Sequence, residues 1–164
     1  MSFLNASRLI LISLWLGAAI FFSAVVAPSA FSVLRSFDLP NASEIAGTIV
    51  TRTLSIVNVS GFIAGIFLLL TLFSTRLTKG RIALIIELVC ISVVIVATGV
   101  GHWVIAARMR ALRAAMVLPI DQVPVNDARR VAFNSLHVYS VNALGLAMIA
   151  ALITIILISR SGRN

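Results

Sequence analysis

Four apolar runs, each about as long as a helix that crosses a lipid bilayer, constrain this chain more than any other feature. The runs cover residues 8–27, 54–74, 82–102 and 138–159, and a spanning helix needs about 20 residues. Of the 164 residues, 60% are hydrophobic and only 11% are charged, which is too apolar for a soluble domain of this size. We therefore predict an all-α polytopic membrane protein, with residues 1–164 forming one domain, a bundle of four transmembrane helices.

The first run is interpreted as a retained helix and not as a signal peptide. The segment 27–30, Ala-Pro-Ser-Ala, resembles a cleavage site, but the apolar core before it exceeds the roughly 7–15 residues of a signal peptide. Pro28 is predicted to end or kink this helix near Ala27, because proline disfavours a helical conformation at the preceding residue.

The connections at one end of the bundle carry helix signals of their own. Asn41, with Glu44 three residues later, forms a capping-box pattern that predicts a helix start near Ala42. The third helix is predicted to continue beyond His102, and Asn126 or Asp127 to cap the fourth. Helices 2, 3 and 4 should thus extend beyond the bilayer on one side. No internal repeat is evident.

Basic residues flank the apolar runs and give the chain a net charge of +8. They do not line a polar face with aromatic residues, so they indicate a lipid bilayer as the partner and disfavour nucleic acid. Their density is higher in the short segments on the side of the two termini, which predicts cytoplasmic termini. As a separate expectation, the membrane is a bacterial inner (plasma) membrane. The single cysteine, Cys90, excludes an internal disulfide.

Glu87, inside the third run, is the first candidate functional residue, because an ionisable side chain in a spanning helix is costly. One interpretation is an interfacial carboxylate paired with Arg76, Lys79 or Arg81. The other is a buried carboxylate that takes part in cation or proton movement. Thr98 and His102 share its helix face.

Other polar and small residues in the runs suggest contacts between helices. Asn58 is expected to form an interhelical hydrogen bond, with Ser55 one turn earlier. Gly61 and Gly65 form a GxxxG pattern, which predicts close helix packing within the bundle. Gly17 and Gly145 are assigned the same packing role.

Two histidines are predicted to lie at one membrane boundary. His102 ends the third run and His137 begins the fourth, and these helices run in opposite directions. Together they would suit the axial positions of a haem or part of a soft-metal site such as copper. Alternatively, each pairs with a nearby serine, asparagine or backbone group. Ser140 should follow His137 toward the bundle, whereas Asn142 points about 140° away and should meet a different helix.

Short motifs along the chain resemble domain-of-unknown-function family 4149, which includes transmembrane-protein-205-like proteins. The motifs are Trp15-Leu16-Gly17 followed by Ala27, Pro28 and Phe31; Ala46, Gly47 and Arg52; and Phe133, Leu136, His137 and Ser140. Asn142 departs from the pattern of the last motif. The family implies four helices and no established activity. It is distantly similar to copper-resistance-D-like proteins and to membrane protoporphyrinogen oxidases, which implies His102 and His137 as positions for copper or haem.

Three functions compete at this point. The first is handling or transport of a metal ion or metal complex through the histidine-containing end, which would need a homo-oligomer because four helices make a thin pore. The second is a haem-binding redox protein with His102 and His137 as ligands. The third is a non-catalytic membrane scaffold. No catalytic signature is present, so an enzyme is the less favoured class.

Overall fold

The computed structural model describes residues 3–75 and 80–161, and this part of the chain is entirely helical apart from its connections. The helices are α1 (Phe3–Phe21), α2 (Ala27–Arg35), α3 (Ala42–Thr75), α4 (Arg81–Gly99), α5 (Ala106–Ala115) and α6 (Ala128–Ser161). Two π-helical segments, π1 (Phe22–Val26) and π2 (Val100–Ile105), join α1 to α2 and α4 to α5.

The helices form four continuous rods, all long and apolar enough to cross a membrane. The rods are Phe3–Arg35, Ala42–Ser74, Arg81–Ala115 and Ala128–Arg160. The prediction of an all-α chain with four candidate spans is therefore confirmed.

The rods pack as an antiparallel ring. α1 packs against α3 and α6, and α4 packs against the same two helices. This arrangement places α1 and α4 on one diagonal of the bundle and α3 and α6 on the other. We call the end with the connections 36–41 and 116–127 the crown end. The opposite end, where α1 and α4 begin and α3 and α6 finish, is the terminal end.

The predicted helix starts on the crown end are placed correctly, with one difference in side-chain use. α6 begins after Asp127, whose Oδ1 accepts a hydrogen bond from the Arg129 N–H at 2.8 Å. α3 begins at Ala42, but the Glu44 side chain reaches Arg113 on α5 instead of closing a capping box. A different carboxylate serves the first turn of α3, since the Ser43 N–H donates to Asp121 Oδ2 at 3.2 Å.

Of the two outcomes predicted near Ala27, an end or a kink, the first does not occur, because the rod continues to Arg35; its α-helical bonding is instead interrupted at Phe22–Val26. The Ala27 N–H donates to the Phe22 carbonyl, five residues back. This wider π turn shifts the bonding register just before Pro28, which then occupies the first turn of α2. Proline is tolerated in a first turn because its missing N–H is not needed there.

Although no internal repeat is evident in the sequence, the order and lengths of the helices repeat in the structure. The first half of the chain contains a 19-residue α-helix, a 5-residue π segment, a 9-residue α-helix and a 34-residue α-helix. The second half contains 19, 6, 10 and 34 residues in the same order. The two halves therefore share one architecture.

Candidate functional site

Arg8 on α1 and Glu87 on α4 form an ion pair in the interior of the terminal half. Arg8 Nη2 lies 2.6 Å from Glu87 Oε1, and both side chains are completely buried. Arg8 Nη2 also lies 3.5 Å from the Leu68 carbonyl of α3. Because α1 and α4 are diagonal neighbours, this ion pair crosses the centre of the bundle.

Neither sequence interpretation of Glu87 anticipated this partner. Arg81 is exposed, and Arg76 and Lys79 lie outside the described residues. Arg8 is the first residue of the first apolar run and is one of the basic residues that flank the runs, but α1 already begins at Phe3. Five residues of helix precede Arg8, which corresponds to about 7.5 Å. A cation one and a half turns inside an apolar helix was the signal that a buried pair existed.

Glycines in the middle of the bundle allow close contact with larger side chains. A Cβ at Gly61 would lie 2.5 Å from Trp15 Nε1, and one at Gly65 would lie 2.6 Å from Ile95 Cγ1. Trp15 Nε1 donates to the Val57 carbonyl at 2.9 Å. Gly61 and Gly65 thus lie where helices approach each other. Gly17 and Gly145 do not, since a Cβ at either position would meet nothing within 4 Å.

Asn58 and Thr98 are both buried near the middle of the bundle. The Asn58 amide lies against Gly101, where an added Cβ would be 3.1 Å from Nδ2. The Thr98 hydroxyl donates to the Val94 carbonyl of its own helix at 2.6 Å. Thr98 therefore satisfies its hydroxyl locally and has no need of a ligand.

His102 lies in π2 and contacts neighbouring side chains. Its Nδ1 is 3.2 Å from Ser55 Oγ on α3, and its ring meets the Trp103 ring edge-on at 4.9 Å between centroids. This geometry corresponds to the alternative in which the histidine pairs with a serine.

The polar stretch that opens α6 divides among three environments. His137 is exposed and lines a large cleft, whereas Ser140 is buried, so the two residues do not share one environment. Asn142 is exposed, which does not favour the predicted contact with a different helix. The rotation of about 140° from His137 carries Asn142 to the outer surface of the bundle.

The cleft lies at the crown end between α2, α3, α5 and α6 and has a volume of about 910 Å³. Five arginines line it against two carboxylates, and its apolar surface includes aromatic and methionine side chains. The arginines are Arg35, Arg52, Arg110, Arg113 and Arg130, the carboxylates are Glu44 and Asp121, and the apolar residues include Phe31, Val50, Met109, Met116 and Phe133. Ser55 and His137 also line the cleft; His102 is absent from the described lining.

The five arginines differ in what they already bind. Arg113 pairs with Glu44 at 2.5 Å, and Arg130 donates to the Val123 carbonyl. Arg35 lies over the Phe31 ring at 5.7 Å. Arg52 and Arg110 are exposed and make no hydrogen bond or ion pair with any residue of the described ranges. These two guanidinium groups remain available to a ligand.

Sequence reasoning missed this cleft because its arginines come from all four rods. At the level of sequence, the basic residues of this end served only to compare charge density between the two sides of the membrane. Within the described residues, no three His, Cys, Asp or Glu side chains come close enough to hold a metal ion together. The structure therefore brings arginines together where a histidine pair was expected.

The Domain of unknown function (DUF4149) family model matches residues 10–117, which is about two thirds of the chain. The match includes Glu87, His102, Arg52 and Arg110. It ends before α6, so four residues that contributed to the resemblance lie outside it: Phe133, Leu136, His137 and Ser140. No curated protein and no solved structure matches the chain.

Proposed function

The chain belongs to the DUF4149 family, a domain family of unknown function. We therefore propose its function from the chemistry of the cleft at the crown end, which we call the crown cleft. The chain is a helical protein with four candidate membrane spans. We propose that it binds the anionic group of an amphipathic molecule in this cleft. With cytoplasmic termini, as the distribution of basic residues favours, the cleft would open on the non-cytoplasmic side.

The observation that carries this proposal is the surplus of arginine over carboxylate in one cleft, with Arg52 and Arg110 unpaired among the described residues. Guanidinium groups bind phosphate and carboxylate with paired, charge-assisted hydrogen bonds. The apolar lining, which includes Phe31 and Met109, suits the hydrocarbon part of the same molecule. A lipid with an anionic headgroup has both features, and free phosphate has only the first.

The same charges disfavour handling of a free metal ion, since five arginines repel a cation. A metal complex with carboxylate groups is a different case. We retain haem as a second candidate, because His137 lines the arginine-rich cleft and imidazole is a common haem ligand. His102 does not support a two-histidine site, because its Nδ1 faces Ser55. A scaffold without a ligand is the third candidate.

Native mass spectrometry of the purified protein, titrated with dioleoyl phosphatidic acid, tests the main proposal. Arg52→Gln and Arg110→Gln should each weaken retention about tenfold, since a hydrogen bond to a charged group contributes roughly 1.5–3 kcal/mol. Arg108→Gln is the matched control, because Arg108 lies two residues from Arg110 but lines a separate hollow with Leu112 and Tyr139.

Dioleoylglycerol and inorganic phosphate separate the contributions of tail and charge. Retention of phosphatidic acid alone supports an anionic amphiphile, and retention of inorganic phosphate alone indicates a free anion. Equal retention of dioleoylglycerol and phosphatidic acid, or wild-type binding by both arginine variants, would refute the proposal.

Absorption spectroscopy after incubation with haemin tests the second candidate. A Soret band that is lost in His137→Ala and retained in His102→Ala would support haem binding in the cleft. A wild-type protein that acquires no Soret band would remove this candidate.

A further inference from the structure

The two halves of the chain match in burial as well as in element lengths. With a shift of 79 residues, buried positions of the first rod coincide with buried positions of the third. The coincident pairs are Arg8 with Glu87, Ile12 with Ile91, Trp15 with Val94, Ala19 with Thr98 and Phe22 with Gly101.

The second and fourth rods match in the same way with a shift of 86 residues. The coincident buried pairs are Asn58 with Leu144, Gly61 with Ala147, Ala64 with Ala150, Gly65 with Ala151, Leu68 with Thr154 and Leu72 with Ile158. Helices α3 and α6 are also both 34 residues long. The bundle is therefore two similar helical hairpins arranged about a pseudo-twofold axis parallel to the rods.

The Arg8–Glu87 pair lies on this axis. The two residues occupy equivalent positions of the two halves, and they bind each other across the centre at 2.6 Å. A second ion pair between the halves, Glu44 with Arg113, lies at the crown end and is partly exposed. The halves are thus joined by a completely buried ionic contact at one end and by a solvent-accessible one at the other.

The two ends of the bundle differ in how tightly they close. At the terminal end, completely buried side chains from all four rods fill the centre: Arg8, Ile12, Leu68, Leu72, Glu87, Ile91, Thr154 and Ile158. At the crown end, the cleft of about 910 Å³ separates the rods. The structure is closed around the ion pair and open at the crown.

We propose that this protein is a carrier. Its two halves, which are related by the pseudo-twofold axis, separate from each other, and the Arg8–Glu87 pair is the contact that closes the terminal end. The inference rests on the proposed function in taking the anion bound in the crown cleft as the cargo. In many membrane transporters, two structural repeats move relative to each other around a binding site between them, so that the site is exposed to each side of the membrane in turn.

Two features of the chain suit such a movement. An anionic cargo that reaches Arg8 competes with the Glu87 carboxylate for the guanidinium group, so arrival of the cargo itself weakens the closing contact. In addition, π1 and π2 interrupt the first and third rods at the same depth, between the ion pair and the crown. Such π turns interrupt regular helix bonding and often mark functional bends.

Cys90 reports opening of the terminal end. It is the only cysteine of the chain, it is 8% exposed, and it lies three residues after Glu87 on α4. A membrane-impermeant maleimide is added to sealed vesicles whose orientation is established by protease cleavage of a C-terminal tag. Labelling from each side then shows which end of the bundle has opened.

Wild-type protein should label slowly from both sides. Glu87→Gln should label on the order of tenfold faster from the terminal side only, because protection of a buried thiol falls as local opening becomes easier. Glu44→Gln is the matched control, since it breaks the ion pair at the crown and should leave the Cys90 rate unchanged. Equal acceleration from both sides in Glu87→Gln, or none from either, would overturn the proposal.

Wild-type protein gives an independent test should Glu87→Gln fail to fold. Phosphatidic acid added to the vesicles should accelerate terminal-side labelling of Cys90, whereas dioleoylglycerol should not. An unchanged rate with phosphatidic acid bound would refute the carrier while the cleft function stands. Absence of phosphatidic acid binding, with acceleration in Glu87→Gln, would refute the cleft function and leave the closing contact.

Discussion

Replacing Gly61 with alanine is expected to destabilise the bundle through a defined clash. The added Cβ would lie 2.5 Å from Trp15 Nε1, 2.6 Å from Cε2 and 2.8 Å from Cζ2. The indole ring is 5% exposed and is held by its hydrogen bond to the Val57 carbonyl. The ring therefore has to move, and when it moves the N–H loses its acceptor.

The expected cost follows from these two effects. Overpacking of a well-packed interior costs about 1–3 kcal/mol, and loss of a hydrogen bond adds about 0.5–1.5 kcal/mol. Gly145→Ala is the matched control, because it makes the same chemical change in a spanning helix where no atom lies within 4 Å. We expect Gly61→Ala to lower the free energy of unfolding by about 2–4 kcal/mol relative to this control.

Reversible unfolding in mixed micelles of dodecyl maltoside and sodium dodecyl sulfate, followed by circular dichroism, measures this difference. Trp15→Phe removes the atoms that clash, so the combination of Trp15→Phe with Gly61→Ala should be less destabilised than the sum of the single variants. If Gly61→Ala and Gly145→Ala are equally stable, the contact between Trp15 and Gly61 does not constrain the bundle as described.

Two further outcomes follow from charged groups at opposite ends of the bundle. Arg8→Gln and Glu87→Gln should each lower the free energy of unfolding by about 3–5 kcal/mol, because each removes one member of a buried ion pair. The double exchange of Arg8→Glu with Glu87→Arg should recover part of this loss. Single variants that are as stable as wild type would contradict the pairing. Hydrogen bonds from Arg129 lower the pKa of Asp127 from 3.8 to about 2, so the contribution of Asp127 to stability should be complete above pH 3.8 and lost as the pH falls toward 2. Amide hydrogen exchange of Arg129 measures that loss, which should disappear in Asp127→Asn; loss beginning well above pH 3.8 would refute the assignment.

Arginine side chains have different roles in the cleft and in the axial ion pair. At the crown, Arg52 and Arg110 remain exposed and unpaired among the described residues, which favours ligand binding. In the terminal half, Arg8 and Glu87 are fully buried and bind each other, which favours closure. The carrier proposed above takes an anionic cargo, because guanidinium groups at both places bind anions.

Local features of the sequence were sufficient for the spans and for two helix starts. Hydropathy over a window of about 20 residues reflects the solvent of that segment alone, and the four spans follow from it. The starts at Ala42 and after Asp127 depend on turn and capping residues a few positions away. The extent of the first rod could not be predicted in this way, because the π turn before Pro28 allows the helix to continue past the proline.

The partners of the polar residues were decided only by the tertiary structure. α3 and α6 are apolar around most of their circumference, so periodicity did not identify the face that each turns toward the bundle. The rotations of all four rods together determine that Arg8 meets Glu87, that His102 meets Ser55, and that Asn142 is exposed. The sequence by itself determined four membrane-length helices, because hydropathy is a local property of the chain. The repeat, the axial ion pair and the arginine-lined cleft depend on how the rods are rotated against each other, and packing between residues far apart in the sequence determines that rotation.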